Sequence, residues 1–147
     1  MRSLRVARSY LRQAEARLED AEDALEEENH PYAVRLSQEC VELSLKAVLK
    51  SVGIEYPKVH EVSYVLEEVG DRFPGWFRAE IGYMAESSRL LFKKREPSLY
   101  GDEEALLPPN AVMGYEDAED ATQRARKTHN LCENLVNELE VKAERTG

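Results

Sequence analysis

A stripe of apolar residues at alternating spacings of three and four runs without a break through residues 4–25. Its members are leucines and alanines only: Leu4, Ala7, Leu11, Ala14, Leu18, Ala21 and Leu25. This spacing places all of them on one side of an α-helix of about six turns, whereas side chains in a β-strand alternate with period two. The stripe is also narrow, which is typical of helices that pack nearly antiparallel. The chain therefore begins with a long helix suited to packing against other helices.

Proline and glycine divide the next part of the chain into further helices. Pro31 is tolerated in a first helical turn, so we predict a second helix from about Pro31, capped by Asn29 or His30 and ended by Gly53. A shorter helix is expected to begin near His60. The segment 71–75 (DRFPG) is a predicted break, because proline and glycine both disfavour a continuing helix, and a fourth helix should follow it.

The C-terminal part combines a proline-rich segment with another small-residue stripe. Residues 95–114 contain three prolines and two glycines, which predicts a long connection. From Tyr115 to the C-terminus, one last helix is predicted, with an inner face of Ala118, Ala121, Ala125, Thr128, Cys132, Leu135 and Leu139. No segment shows sustained period-two alternation. We therefore predict an all-α fold, an up-and-down bundle of four to five helices that forms a single domain over residues 1–147.

The alanine-rich faces of the two terminal helices have two interpretations. Small residues allow close helix approach, so either face could form the seam of a homodimer. Alternatively, both faces pack within the chain. The sequence stripe alone leaves both open.

Charge and composition restrict the class of partner and the location. The 20 Lys and Arg against 29 Asp and Glu give a net charge of −9, which opposes broad binding to nucleic acid, so no DNA partner is predicted. The chain has no apolar run long enough to span a membrane and no signal-peptide core, so we expect a cytoplasmic protein. Its two cysteines, Cys40 and Cys132, are expected to be buried, reduced thiols.

Metal and cofactor sites find no support in the residue spacings. A di-iron bundle needs two Glu-x-x-His motifs, and the chain has one, from Glu27 to His30 inside an acidic run. There is no Cys-x-x-Cys pair for zinc and no glycine-rich phosphate loop. We predict no metal and no cofactor.

Two basic clusters offer a candidate surface for a phosphate or an RNA backbone. One lies within 89–95 (RLLFKKR) and the other within 124–129 (RARKTH). If the two clusters converge, they would form a cationic groove on an acidic protein. The alternative is that both are ordinary solvated faces of long helices.

The segment 35–66, RLSQECVELSLKAVLKSVGIEYPKVHEVSYVL, resembles the hallmark of HEPN domains (higher eukaryotes and prokaryotes nucleotide-binding). The matching positions are Gln38, Glu42, Lys46, Ala47, Gly53 and His60. The later KKREPSLYGD resembles the Arg-Tyr-Pro loop of that family, with Arg95 and Pro97 matching and Glu96 in place of tyrosine. The resemblance implies a small helical bundle, commonly a homodimer, that pairs with a minimal nucleotidyltransferase in a toxin–antitoxin-like system.

The same resemblance implies a possible enzyme. Many similar proteins are metal-independent ribonucleases with an Arg-x(4–6)-His motif in the last helix, and Arg124 and His129 fit that spacing here. In such an enzyme two copies meet across the dimer seam, with His129 in proton transfer and Arg124 stabilising the phosphorane charge. Ala125 replaces the polar residue common after the arginine, and no tyrosine follows His129 as an acceptor of nucleotidyl modification.

Three functional hypotheses therefore follow from the sequence. The first is a HEPN module that pairs with a nucleotidyltransferase and binds nucleotide or RNA through Lys46, Lys94, Arg95 and Arg126. The second is a ribonuclease that uses Arg124 and His129. The third is a helical scaffold without a ligand.

Overall fold

The stripe that begins the sequence forms the buried face of the first helix. The computed structural model describes residues 2–146, and in them it has seven α-helices: α1 Arg2–Glu26, α2 His30–Ser51, α3 Ser63–Glu68, α4 Gly75–Arg78, α5 Ile81–Tyr100, α6 Pro109–Val112 and α7 Tyr115–Thr146. A single 3-10 turn, Gly70–Arg72, precedes α4. No β-strand occurs in this range, so the predicted all-α bundle is confirmed.

The four long helices α1, α2, α5 and α7 form the body of the bundle. Helix α2 is central and packs against the other three, which explains why small buried residues such as Ala33, Ser37 and Ser44 recur along it. Helix α1 packs antiparallel to α7, since Arg8 contacts Glu140 and Glu22 contacts Arg126. One continuous cluster of buried side chains joins these helices.

The predicted faces of both terminal helices are buried within the chain, except that Leu25 and Leu139 are only partly buried. On α1 the buried residues are Leu4, Ala7, Leu11, Ala14, Leu18, Ala21 and Ala24. On α7, Ala118, Ala121, Ala125 and Cys132 are fully inaccessible to solvent. The intramolecular interpretation of the two stripes is therefore confirmed. A homodimer seam on either stripe is wrong, because α1, α2 and α7 bury these residues against one another.

The start of α2 is as predicted, whereas the start of α3 is not. Pro31 lies in the first turn of α2, and Asn29 precedes that turn without a hydrogen bond from its side chain. The third helix begins at Ser63, so His60 lies in the preceding loop instead of opening the helix. The Glu61 carboxylate accepts a hydrogen bond of 2.8 Å from the Ser63 N–H. This bond satisfies a donor at the N-terminus of α3 and fixes where the helix begins.

Half of the segment 95–114, the predicted long connection, is helical. Helix α5 continues to Tyr100, so Arg95 and Pro97 are helical. Pro97 lies one turn before the helix end, where its missing N–H costs one hydrogen bond and its ring crowds the carbonyl of the preceding turn. The true connection consists of a hairpin over residues 101–108, the single turn of α6 and two further residues.

Both cysteines are buried and unpaired, as predicted. The break at 71–75 is also present, although the helix that follows it is divided into the short α4 and the long α5. Within residues 2–146, no helix is both long enough and apolar enough to cross a membrane.

Candidate functional site

The family-like residues of α2 form a ladder on one face of that helix. Gln38, Glu42 and Lys46 are four positions apart, so their side chains follow one another along the helix. The Gln38 Nε2–H donates to Glu42 Oε1 at 3.1 Å, and Lys46 Nζ donates to Glu42 Oε2 at 2.9 Å. The Glu42 side chain is only 13% exposed. A carboxylate so shielded needs these partners, because burying it without them would be costly.

Two further residues join this ladder from distant parts of the chain. His60 Nδ1 lies 3.2 Å from Glu42 Oε1, and Arg95 Nη1 donates to Gln38 Oε1 at 2.6 Å. We call these five residues, Gln38, Glu42, Lys46, His60 and Arg95, the motif cluster. His60 is its open edge, since the imidazole side chain is 62% exposed. The structure thus brings together residues of α2, the 52–62 loop and α5 that the sequence could only match to a pattern.

A second carboxylate extends the motif cluster towards α1. Glu39 Oε1 lies 3.2 Å from Arg17 Nε, and Glu39 Oε2 lies 3.4 Å from Arg95 Nη1. A cavity of about 200 Å³ opens here, with Arg17, Glu39, Glu42 and Arg95 among its lining residues. Neither Arg17 nor Glu39 is part of the predicted site. The only sequence signal for Glu39 is its position directly after Gln38.

A larger cavity of about 490 Å³ lies between α1, α2 and the 52–62 loop. Its lining combines aromatic and basic side chains, and we call it the lysine–tyrosine cavity: Tyr10, Glu42, Leu43, Lys46, Lys50, Glu55, Tyr56, Lys58, Val59 and His60. Lys50 Nζ lies 5.1 Å from the centre of the Tyr56 ring, and Lys46 Nζ lies 5.7 Å from it. These distances are within the range of cation–π attraction.

The phenol of Tyr56 remains protonated throughout the physiological range. Burial raises the pKa of Tyr56, and the neighbouring Tyr10 and the carboxylates of Glu55 and Glu42 raise it further. Its ring is therefore neutral and offers both a flat apolar surface and a hydroxyl donor. Lys50 and Lys58 form no ion pair with any residue in the described range, so their ammonium groups remain available to an anion.

Comparison with known proteins identifies the family. A sequence model described as the HEPN domain matches residues 7–135, which is most of the chain. The chain belongs to the HEPN family. No curated protein sequence matches it.

Two solved structures resemble this HEPN chain over most of their length. The crystal structure of TT1696 from Thermus thermophilus has a TM-score of 0.71 at 23% identity, covering 87% of this chain and 96% of the other. That of ST0689, an archaeal HEPN homologue, has a TM-score of 0.69 at 24% identity, covering 88% of this chain and 97% of the other. At this level of identity, the two structures establish that the fold is shared.

Several basic side chains of the two clusters of the HEPN chain are held in ion pairs. Lys94 is bonded to Asp117 at the start of α7, and Arg126 is bonded to Glu22 on α1. Arg89 is paired with Glu67 on α3. The clusters are therefore dispersed into ion pairs with different neighbouring helices. Of the four predicted contact residues, Lys46 and Arg95 belong to the motif cluster, whereas Lys94 and Arg126 line none of its cavities.

Arg124 and His129 lie on opposite edges of the buried face of α7. Arg124 is directed towards α5, where it bonds Ser87 Oγ at 3.0 Å and also pairs with Asp120 of its own helix. His129 is directed towards α1 and is only 6% exposed. Its Nε2–H donates to the backbone oxygen of Leu11 at 3.3 Å. The two side chains thus make separate contacts within one chain.

No cluster in the described residues is suited to a metal. Within residues 2–146, no group of three or more His, Cys, Asp or Glu side chains is placed to hold an ion. The motif cluster is a set of charged and polar side chains held in place by mutual hydrogen bonds, and the adjoining lysine–tyrosine cavity adds aromatic side chains. The sequence signal for the lysine–tyrosine cavity is the loop GIEYPK, which places Tyr56 and Lys58 between Lys50 and His60.

Proposed function

We propose that this HEPN chain is a nucleotide-binding module that acts as a homodimer together with a minimal nucleotidyltransferase. The observation that carries the ligand part is the lysine–tyrosine cavity beside the motif cluster. It combines the two kinds of group that a nucleotide requires, a flat aromatic surface for the base and ammonium groups for the phosphates.

The charge balance of the cavity supports an anionic ligand. Lys46 is held by Glu42, whereas Lys50 and Lys58 have no carboxylate partner in the described range. On a chain with a net charge of −9, two such lysines beside the partly buried Tyr56 form a local basic site. An incoming phosphate would therefore gain ion pairs without breaking existing ones.

The motif cluster holds part of the wall of the lysine–tyrosine cavity in place. Glu42 lies between Lys46 and His60 and contacts both, so it fixes two of the side chains that line the cavity. Arg95 in turn fixes Gln38 through a hydrogen bond. In this proposal Lys50, Lys58 and Tyr56 contact the ligand, and the motif cluster positions the wall around them.

Calorimetric titration with ATP, AMP and inorganic pyrophosphate tests the ligand part directly. We expect ATP to bind, and the double variant Lys50→Ala/Lys58→Ala to weaken binding at least about tenfold, as expected when two charged contacts are lost. The matched control is Lys142→Ala/Arg145→Ala, which removes the same charge from α7 at residues that do not line the cavity and should leave binding unchanged. Absence of nucleotide binding, or an equal loss in the control, would contradict the proposal.

The same set of variants distinguishes a nucleotide ligand from an RNA ligand. Fluorescence anisotropy with a short single-stranded RNA should show weaker dependence on Lys50 and Lys58 if a mononucleotide is the ligand. If neither RNA nor nucleotide binds, the chain acts as a scaffold, the third of the hypotheses above.

The pairing with a nucleotidyltransferase rests on the family resemblance. Co-purification tests it: the tagged chain is expressed with the product of a nucleotidyltransferase gene adjacent to its own. A stoichiometric complex is expected, and the absence of such a gene or complex would overturn this part.

The geometry of Arg124 and His129 does not favour a ribonuclease. The imidazole of His129 is buried and bonded to the Leu11 backbone, so it has no route to a substrate hydroxyl in the single chain.

A further inference from the structure

The connection from α5 to α6 forms a closed, rigid hairpin. Asp102 and Leu107 exchange two backbone hydrogen bonds, each with an N···O distance of 2.9 Å. Inside the turn, the Ala105 N–H donates to Asp102 Oδ1 at 3.0 Å. The backbone of the turn is therefore held by its own hydrogen bonds instead of by packing.

The base of the hairpin permits only glycine at its first position. Gly101 has φ of +69°, and a Cβ added there would lie 2.0 Å from the backbone oxygen of Leu107. Two prolines, Pro108 and Pro109, follow the hairpin directly and restrict the backbone where the chain leaves it. The tip of the hairpin is thus presented in a fixed direction.

Leu106, at the tip, is both strained and unburied. Its φ is +59°, a left-handed conformation that costs a residue with a side chain about 1 kcal/mol or more. Its side chain is 87% exposed, so folding of the single chain gains almost nothing from it. The backbone strain at Leu106 is therefore not offset by burial of its side chain within the chain. This combination indicates that Leu106 contacts another molecule.

A socket of matching character lies immediately before the hairpin. A cavity of about 450 Å³ runs along the last two turns of α5, and Phe92, Leu99 and Tyr100 supply its apolar lining. Phe92 and Tyr100 are both exposed, although aromatic side chains of this size are usually covered. The charged lining consists of two cations, Lys93 and Arg95, and a single carboxylate, Glu96, and His60 borders it.

The hairpin tip and the socket have opposite charge. The tip carries two exposed carboxylates, Glu103 and Glu104, beside Leu106. On an acidic chain, a cationic apolar socket adjacent to an acidic apolar tip is a self-complementary pair of surfaces. Leu106 is too exposed to occupy the socket of its own chain.

We infer that two copies of this chain form a dimer by exchanging hairpin tips. Leu106 of each copy enters the Phe92–Tyr100 socket of the other, and Glu103 and Glu104 face Lys93 and Arg95. Because tip and socket adjoin in one chain, a two-fold axis near Tyr100 brings both pairs together at once and closes the assembly. This interface rests on the homodimer of the proposed function. The tip does not line the lysine–tyrosine cavity, whereas the socket shares His60 with it.

Sedimentation equilibrium over a wide range of protein concentration tests the interface. The wild type is expected to be a dimer, and Leu106→Gly should raise its dissociation constant at least about tenfold, as for a central apolar contact. Leu106→Gly should leave the stability of the monomer nearly unchanged, because relief of the left-handed backbone offsets the added freedom of the unfolded chain. Val141→Gly removes another exposed apolar side chain, on α7, and serves as the control.

Charge exchange tests which surfaces meet. Lys93→Glu should weaken the dimer, and combining it with Glu103→Lys/Glu104→Lys should restore it. A monomeric wild type would overturn both this interface and the dimer of the proposed function. A dimer that survives Leu106→Gly, or that the charge exchange fails to restore, would overturn this interface alone. The nucleotide titration on the monomeric variant reports on the ligand separately.

Discussion

Arg95 Nη1 lies 2.6 Å from Gln38 Oε1, and this hydrogen bond ties the C-terminal half of α5 to the middle of α2. Gln38 is only 3% exposed, so its amide oxygen has little access to water as an alternative donor. The bond therefore joins the motif cluster to α5 and holds Arg95 where it lines the cavity of about 200 Å³ beside Glu39.

Removing the arginine should destabilise the chain measurably. In Arg95→Met, the buried oxygen of Gln38 loses its donor, and we expect the free energy of unfolding to fall by about 1–3 kcal/mol. Urea unfolding followed by circular dichroism measures this. The control is Arg35→Met, because Arg35 is more exposed and pairs with Glu39 at 3.4 Å, a contact worth about 0–1 kcal/mol. Equal losses in the two variants would contradict this role of Arg95.

A second arginine holds the two terminal helices together. Arg8 donates to Glu133, Asn137 and Glu140 on α7, with N···O distances of 2.6 Å to each. The hydrogen bond to Glu140 raises the pKa of Arg8, against the opposing effect of burial, and Glu133 adds to the rise. Arg8→Met should lower the free energy of unfolding by about 1 kcal/mol, because the pairs are partly exposed and screened.

The effect of the Arg8 substitution should shrink as salt is added, since the lost contacts are ionic. Urea unfolding at low and high ionic strength measures the difference. Arg12→Met, an exposed position on the same helix, provides the control and should change little at either salt concentration. A loss in Arg8→Met that is independent of salt would indicate lost packing instead of lost charge.

The positions of Arg124 and His129 bear directly on whether the chain cleaves RNA. Because His129 is buried and bonded to Leu11, we expect no cleavage of single-stranded or structured RNA by the purified chain in EDTA. The assay includes His129→Ala and Arg124→Ala beside the wild type. Cleavage by the wild type that both substitutions abolish would contradict this expectation, whereas cleavage that neither changes would reveal a contaminant.

The two thiols should make the chain less stable at alkaline pH. Burial raises the pKa of Cys40 to about 12, and burial likewise raises the pKa of Cys132 well above its usual value. In the unfolded chain both thiols ionise at about pH 8.5, so above that pH the native state retains protons that the unfolded state has lost. The free energy of unfolding must therefore fall as pH rises from about 8 to 10.

Comparison with Cys40→Ala/Cys132→Ala isolates the thiol contribution. Urea unfolding in reducing buffer should show a steeper decline with pH for the wild type than for the double variant. The native thiols should also react slowly with a disulfide reagent at about pH 8 and readily in urea, because they are inaccessible in the fold. Parallel declines for the two proteins would show that other groups cause the pH dependence.

Part of the candidate site can be predicted from the spacing of residues in the sequence alone. Gln38, Glu42 and Lys46 lie four positions apart, and a helix necessarily places such residues on one face. The contact between Glu39 and Arg17 cannot be predicted from spacing, because it joins two helices whose relative rotation is set by packing. The end of α5 differs from the prediction for a similar reason. Pro97 breaks a helix in isolation, but packing against α2 and α6 retains the last turn.

The sequence by itself determined the helical class, the inner faces of α1 and α7, and the residues that match the family, since each depends on periodicity along one segment. Only the tertiary structure decided what those faces and residues contact. It showed that the alanine-rich stripes are buried within the chain, that His129 is bonded to Leu11, and that Arg95 meets Gln38. The physical reason is that periodicity fixes which side of a helix is apolar, whereas the partner of that side depends on the packing of all the helices together.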